Sequence, residues 1–154
     1  MTREYPDRPV VGVGVVVLGP EGVLLVRRGK PPNEGQWSLP GGAQKLGETL
    51  FEAGQREIRE ETGLEIEVLG LVDAVDSIQR DDDGKVRFHY TLFDVLAKAK
   101  GSGKEGQLRP GGDAAEAAWM ALEEIPGLDL WSETERIINL AVAMHQALED
   151  VEAP

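Results

Sequence analysis

Valine alternates with glycine through Val11-Gly12-Val13-Gly14-Val15 and runs on to Val17, the period-two pattern of a strand. Gly19-Pro20-Glu21-Gly22 is a turn, and residues 23–26 form a second strand that ends at Arg27-Arg28, so the pair predicts a hairpin. Residues 29–36 carry two prolines and read as a loop, followed by a short extended piece, Trp37-Ser38-Leu39-Pro40-Gly41-Gly42. The pattern then changes period. Leu50, Phe51, Gly54 and Ile58 recur at helical spacing, which predicts a helix over 49–62 with that stripe facing the core. Thr49 and Glu52 form a capping box at its start, and Gly63 suits its stop.

Strands are expected at 65–69, 71–79 and 86–97, with Asp81-Asp82-Asp83-Gly84 as a turn. Residues 98–114 form a long polar, glycine-rich loop. A short strand at 117–121 leads to a helical turn at 122–125, closed by Pro126. Ser132 and Glu135 suggest a second capping box, opening a helix with Ile137, Leu140, Ala141, Met144 and Leu148 on one side and a tail from Val151. Strands outnumber helices and come in consecutive pairs, so the class is α+β or mixed α/β rather than a regular βαβ repeat. No composition shift or internal repeat divides the 154 residues, and a single domain is expected.

Charge narrows the partners. The net charge is −12, and no basic run exceeds Arg27-Arg28, which argues against a nucleic-acid polymer as partner. A small phosphorylated ligand is compatible if a cation screens it. No apolar run approaches the length of a membrane span, and the first residues have no secretory pattern. Cysteine is absent, which excludes disulfides and thiolate zinc sites and is compatible with a cytoplasmic setting.

The chemistry is concentrated between Gly42 and Leu64. Glu57, Glu60 and Glu61 stand at i, i+3 and i+4, on one helix face, where like charges repel by a few tenths of a kcal/mol per pair. A divalent cation would repay that cost, since Mg²⁺ takes carboxylate oxygens, water and substrate phosphate. Arg56 is within reach of Glu52 at i−4 and of Glu48 before the helix, partners that would orient the metal-binding carboxylates. Glu-x-x-Glu-Glu alone is an ordinary solvated face. The whole pattern fixes Gly42, Glu48, Arg56, Glu57, Glu60, Glu61 and Gly63, plus aliphatics at Ile58 and Leu64, with a chance agreement of order 10⁻⁸ per start position.

That pattern, Gly42-x₅-Glu48-x₇-Arg56-Glu57-Ile58-x-Glu60-Glu61-x-Gly63-Leu64, resembles the Nudix box at every defined position. The lead-in from Trp37 and the segment from Trp119 to Pro126 are also similar to that family, so the likeness extends from about Val10 to about Leu148. The resemblance implies an α/β/α sandwich: a mixed sheet flanked by helices, with the box as loop–helix–loop. It implies Mg²⁺- or Mn²⁺-dependent hydrolysis of a nucleoside diphosphate linked to another group. Glu57, Glu60 and Glu61 would ligate the metal, joined by the Gly41 carbonyl. Glu48 and Arg56 would support them.

The resemblance leaves the general base open between Glu57 and a loop acid before the late strand. Glu105, Asp113 and Glu116 are the loop options, and spacing from Trp119 favours Glu116. ADP-ribose or a related sugar nucleotide is the favoured substrate, ahead of (deoxy)nucleoside triphosphates and dinucleoside polyphosphates. A homodimer and a non-catalytic nucleotide sensor are further expectations of the family. Its prenyl diphosphate isomerases use a cysteine that this chain lacks.

Arg27 and Arg28 are candidates to hold a phosphate, although on a strand only one can point to a given face. Phe88-His89-Tyr90 offers aromatic surface, with core packing the better reading of Phe88 and Tyr90. His89 and His145 have no neighbouring ligand set. Gly12-x-Gly14 lacks the third glycine and the following helix of a dinucleotide fingerprint, and Asp81-x-Asp83 lacks the later ligands of a calcium loop.

Overall fold

The computed structural model describes residues 3–30, 33–100 and 108–152. Its strands are β1 (Val10–Gly19), β2 (Gly22–Arg28), β3 (Trp37–Ser38), β4 (Gly41–Ala43), β5 (Ile66–Arg80), β6 (Val86–Ala99) and β7 (Ala114–Met120). Helix α1 spans Leu50–Thr62, a 3₁₀ helix spans Leu122–Leu128, and α2 spans Ser132–Glu152. The strands join one mixed sheet in the order β3-β2-β1-β6-β5, with β4 paired to β1 and β7 to β2. Only β1 and β6 run parallel among these pairs; the others are antiparallel.

Period-two alternation sorts the core into two layers. Val13, Val15, Val17 and Leu24 face α1 and pack with Ala53, Ile58, Val95 and Ala97. Val16, Val23, Leu25 and Leu96 face the other way, onto Ile137, Ile138 and Ala141 of α2 and Ile125 of the 3₁₀ helix. The result is the expected sandwich of a mixed sheet with helices on its two faces. No helix among the described residues is long and apolar enough to cross a membrane.

Helix α1 begins and ends as its sequence dictates. Thr49 caps it: the Glu52 amide donates to Thr49 Oγ1 at 3.1 Å, and the Thr49 amide donates to Glu52 Oε1 at 2.9 Å. Gly63 closes it with φ 79°, a left-handed conformation that a side chain would strain. Gly54 lets the helix lie close on the sheet, since a Cβ there would stand 3.2 Å from Val15 Cγ2.

Several expectations are corrected. Phe51 is not in the core stripe but 42% exposed; Ala53 and Gly54 take the buried face with Ile58. The two strands expected at 65–69 and 71–79 are one, β5, because shifts of pairing register around Gly70 and Leu71 absorb the irregularity without ending the strand. The second capping box does not form: Ser132 lies inside the first turn of α2, and the Glu135 amide bonds the Trp131 carbonyl. Leu140 and Leu148 are exposed, and α2 continues through Val151 to Glu152. Pro126 sits within the 3₁₀ helix rather than closing a turn.

Candidate active site

The carboxylates of α1 open onto a cleft between that helix, β4 and the segment before β7, lined by Gly41, Gly42, Arg28, Arg56, Glu57, Glu60, Glu61 and Asp113. Arg56 organises its rim. Its Nε donates to Glu48 Oε2 at 2.6 Å, and its Nη2 donates to Glu48 Oε1 and to the Ala43 carbonyl, both at 3.0 Å. Its Nη1 donates to Glu57 Oε1 at 2.9 Å and to Glu60 at 3.3 Å. The pairing holds the Glu48 carboxyl down at about 2 and raises the Arg56 guanidinium further. Glu52, the other partner expected for Arg56, instead accepts the Thr49 amide in the capping box.

The inner wall is crowded. A Cβ on Gly42 would lie 2.5 Å from Glu57 Oε1, so only glycine leaves room for that carboxylate. Glu61 is 5% exposed and receives the Gly41 amide on Oε1 at 3.4 Å. Burial first, then a hydrogen bond with the Glu57 carboxyl, pushes Glu61 well above the usual carboxylate range. Gly41 itself has φ 154°, and a Cβ there would stand 2.0 Å from the Val13 carbonyl oxygen.

Glu60 is exposed and turned to Arg56, so among the described residues no three acidic or His side chains converge on one point. The Glu57–Glu61 pair does converge, beside the backbone of Gly41 and Gly42. Two carboxyls meeting in a half-buried wall of hard oxygen donors fit a divalent cation of the Mg²⁺ type.

The two arginines diverge. Arg28 lines the cleft. Arg27 pairs in register with Glu116 across β2 and β7, forms an ion pair with it, and lies 5.7 Å from the Trp37 ring centroid. Alternation along β7 sets Glu116 on the face of Met120, which packs on the α2-side core, whereas Trp119 packs on the α1 side. Glu116, expected in the loop before a strand at 117–121, lies inside β7, which starts at Ala114.

Asp113 precedes the strand and lies on the cleft lining, 3.4 Å from Lys30 Nζ. It is fixed there by backbone bonds from Arg109 to the Thr62 carbonyl, from Gly111 to the Glu61 carbonyl and from Gly29 to its own carbonyl. Glu105 lies outside the described residues.

Gly41 and Gly42 also border a second space, a cavity of about 200 Å³ between the sheet and the start of α2. Tyr90, Ser77, Gln79, Asp94, Trp131 and Thr134 are among its walls. Tyr90 lines this cavity and so is not simply core, while Phe88 is buried as expected. Asp94 did not stand out in the sequence, being a lone acid in an apolar strand. It is 5% exposed, and burial pushes its carboxyl up to about 6.

Comparison with known proteins agrees with this architecture. The sequence model of the NUDIX domain matches residues 8–140. The chain belongs to the Nudix family. It is 37% identical over 120 residues to an ADP-ribose pyrophosphatase of Methanocaldococcus jannaschii, covering 78% of this chain and 66% of that protein. It is 32% identical over 145 residues to a putative 8-oxo-dGTP diphosphatase 2 of Mycobacterium tuberculosis, covering 92% of this chain and 94% of that one. The crystal structure of a MutT NUDIX hydrolase from Burkholderia pseudomallei superposes with a TM-score of 0.71 at 28% identity, over 87% of this chain and 98% of that one. The chain spans 66%, 29% and 40% of the lengths of three curated relatives that it matches.

Proposed function

We propose that this chain is a divalent-metal-dependent pyrophosphohydrolase that cleaves a nucleoside diphosphate linked to another moiety, with ADP-ribose or a related sugar nucleotide as the favoured substrate. The observation that carries the reading is the Glu57–Glu61 pair, pressed together beside Gly41 and Gly42 and held from the rim by Arg56. A protein without a cation to bind gains nothing from that repulsion. The 37% identity to the archaeal ADP-ribose pyrophosphatase supports the substrate class. The longer match to the putative 8-oxo-dGTP diphosphatase, 94% of its length, supports a nucleoside triphosphate as the second reading.

Glu57, Glu60 and Glu61 would hold Mg²⁺ or Mn²⁺, with the Gly41 carbonyl as a further oxygen. When bound, the cation neutralises diphosphate charge and lowers the pKa of a coordinated water. Arg56 keeps Glu57 and Glu60 oriented and takes its own orientation from Glu48. Arg28, on the cleft lining, would contact a phosphate there by bidentate hydrogen bonds. Arg27, paired with Glu116 on the other face, is the weaker candidate.

For proton removal from the attacking water, Asp113 and Glu57 border the cleft, and Glu116 would have to leave Arg27 to reach it. The test is phosphate release from ADP-ribose, sugar nucleotides, nucleoside triphosphates and dinucleoside polyphosphates, with Mg²⁺ and with chelator. Turnover of one group that chelation abolishes is the expected result. Binding without turnover of any would overturn the hydrolase reading in favour of a nucleotide sensor.

A further inference from the structure

The glycines of β1 have a structural consequence that a phosphate-binding fingerprint does not explain. On the face toward α2, β1 presents Gly12, Gly14 and then Val16, so two side chains are missing from the sheet just where α2 begins. The neighbouring strand β6 runs parallel and in register: Gly12 lies beside Leu92 and Gly14 beside Asp94. A Cβ on Gly14 would stand 2.1 Å from Asp94 Oδ1, and one on Gly12 2.7 Å from Leu92 Cδ2. The Asp94 carboxyl therefore lies across Gly14, on the floor of the cavity between sheet and α2.

The Asp94 carboxyl is buried, and Arg136 offsets that burial only in part. Among the described residues it has no hydrogen-bond partner. The charged groups acting on it are Arg136 on α2, which favours ionisation, and Asp73 and Glu133, which oppose it. Arg136 is engaged by those same two acids, at 3.0 Å from Asp73 and in contact with Glu133. A buried polar group without a partner is costly, and such groups usually mark a function or a ligand. Gly41, Gly42 and Arg28 border both this cavity and the carboxylate cleft. A ligand whose diphosphate lies in the cleft would reach this floor with its nucleoside.

We propose that Asp94 reads the nucleobase of the substrate, its carboxyl accepting an N–H from the hydrogen-bonding edge of the base on the floor left open by Gly12 and Gly14. The proposal rests on the nucleotide-hydrolase reading and adds the residue that selects the base. Tyr90 and Trp131 border the same cavity and offer aromatic surface to a base. Guanine presents two N–H donors side by side, and adenine one donor beside an acceptor. Both offer the donor that Asp94 needs, and the test separates them.

The test is affinity for AMP, GMP, CMP and UMP, measured by calorimetry in chelator so that no turnover intrudes. The wild type is compared with Asp94→Leu and Asp94→Asn, each checked by thermal melting. The wild type should prefer one base, and Asp94→Leu should weaken that nucleotide by about 10–100-fold and level the ranking. Asparagine carries a fixed donor and a fixed acceptor, so Asp94→Asn should keep an adenine preference and lose a guanine preference. A folded Asp94→Leu protein with the wild-type ranking, or a wild type that does not discriminate among bases, overturns the proposal. Hydrolysis of the substrate panel is measured separately: base discrimination that depends on Asp94 without metal-dependent turnover sinks the hydrolase reading alone.

Discussion

The cleft and the cavity meet at Gly41 and Gly42 yet solve opposite electrostatic problems. In the cleft, three acids crowd one helix face, and Arg56, itself held by Glu48, donates hydrogen bonds to two of them, Glu57 and Glu60. In the cavity, the Asp94 carboxyl lies on the floor with no hydrogen-bond partner among the described residues. The first arrangement is compensated locally and fits a cation. The second is uncompensated and fits a neutral, N–H-rich group. Charge chemistry and selection of the base are thereby assigned to separate walls, which predicts that substitutions on one wall change rate and those on the other change selectivity and stability.

The largest effect should come from the cleft. Glu60→Gln and Glu61→Gln should each lower turnover by about 10²-fold or more, because losing a metal-binding carboxylate removes several kcal/mol of charge stabilisation. The fold should stay intact by circular dichroism, and Glu61→Gln should not lower the melting temperature, since its burial already disfavours the charge. Activity close to wild type in either variant breaks the metal-site side of the comparison.

Next comes the choice of loop acid. Asp113→Asn should slow turnover by about 10²-fold if Asp113 is the base, the lower end of what general base catalysis contributes. Glu116→Gln, with its partner Arg27 on the other face, should change kcat less than threefold by the same reasoning about geometry. Steady-state kinetics of both variants decide the matter. The reverse order would return Glu116 to the cleft and require Arg27 to release it.

How much of this was legible in the sequence differs between the two walls for a physical reason. The box is local: its capping residues, its i, i+3, i+4 carboxylates and its closing glycine all lie within one loop and one helix, and so linear spacing determines them. Alternation along β1 foreshadows the strand at the centre of the sheet, and the helical period foreshadows α1. The cavity depends on pairing between β1 and β6, some eighty residues apart, and on which face each residue takes. Gly12 and Gly14 are visible in the sequence, but their meaning comes only from Leu92 and Asp94 beside them. The setting of Glu116 is hard to read from spacing for a related reason. A strand start moved by three residues turns a loop acid into an inward or outward position of the sheet.

The cavity wall should show itself in stability before it shows itself in catalysis. Asp94 titrates at about 6 when folded, against 3.8 when exposed, because burial disfavours its charge. An acid raised in this way costs stability once it ionises. The cost is absent below the unfolded value, grows between 3.8 and about 6, and is complete above, where it amounts to about 3 kcal/mol. Asp94→Asn should therefore melt higher than the wild type near pH 8, with the gain fading toward pH 4. A gain independent of pH would mean that the substitution acts by packing instead of by charge.

The smallest effect has the opposite sign and belongs to the cleft. Glu48 is held at about 2 by Arg56, below the exposed value of 4.5. Its ionised form therefore stabilises the fold at neutral pH, and that contribution is lost as pH falls from about 4.5 to about 2. The pair is only partly shielded, with the two side chains 18% and 16% exposed, so screening reduces its worth. Glu48→Gln should lower the melting temperature near pH 7 by roughly 2–4 °C, equivalent to about 1 kcal/mol in a chain of this length. The difference from wild type should close as the acid limit is approached. Thermal melts in chelator at a series of pH values follow both Glu48→Gln and Asp94→Asn. The contrast between the walls predicts that one variant loses its difference from wild type on acidification by ceasing to be less stable, and the other by ceasing to be more stable. If both curves shift in the same direction, the two carboxyls are in like environments, and the division between a compensated and an uncompensated wall does not hold.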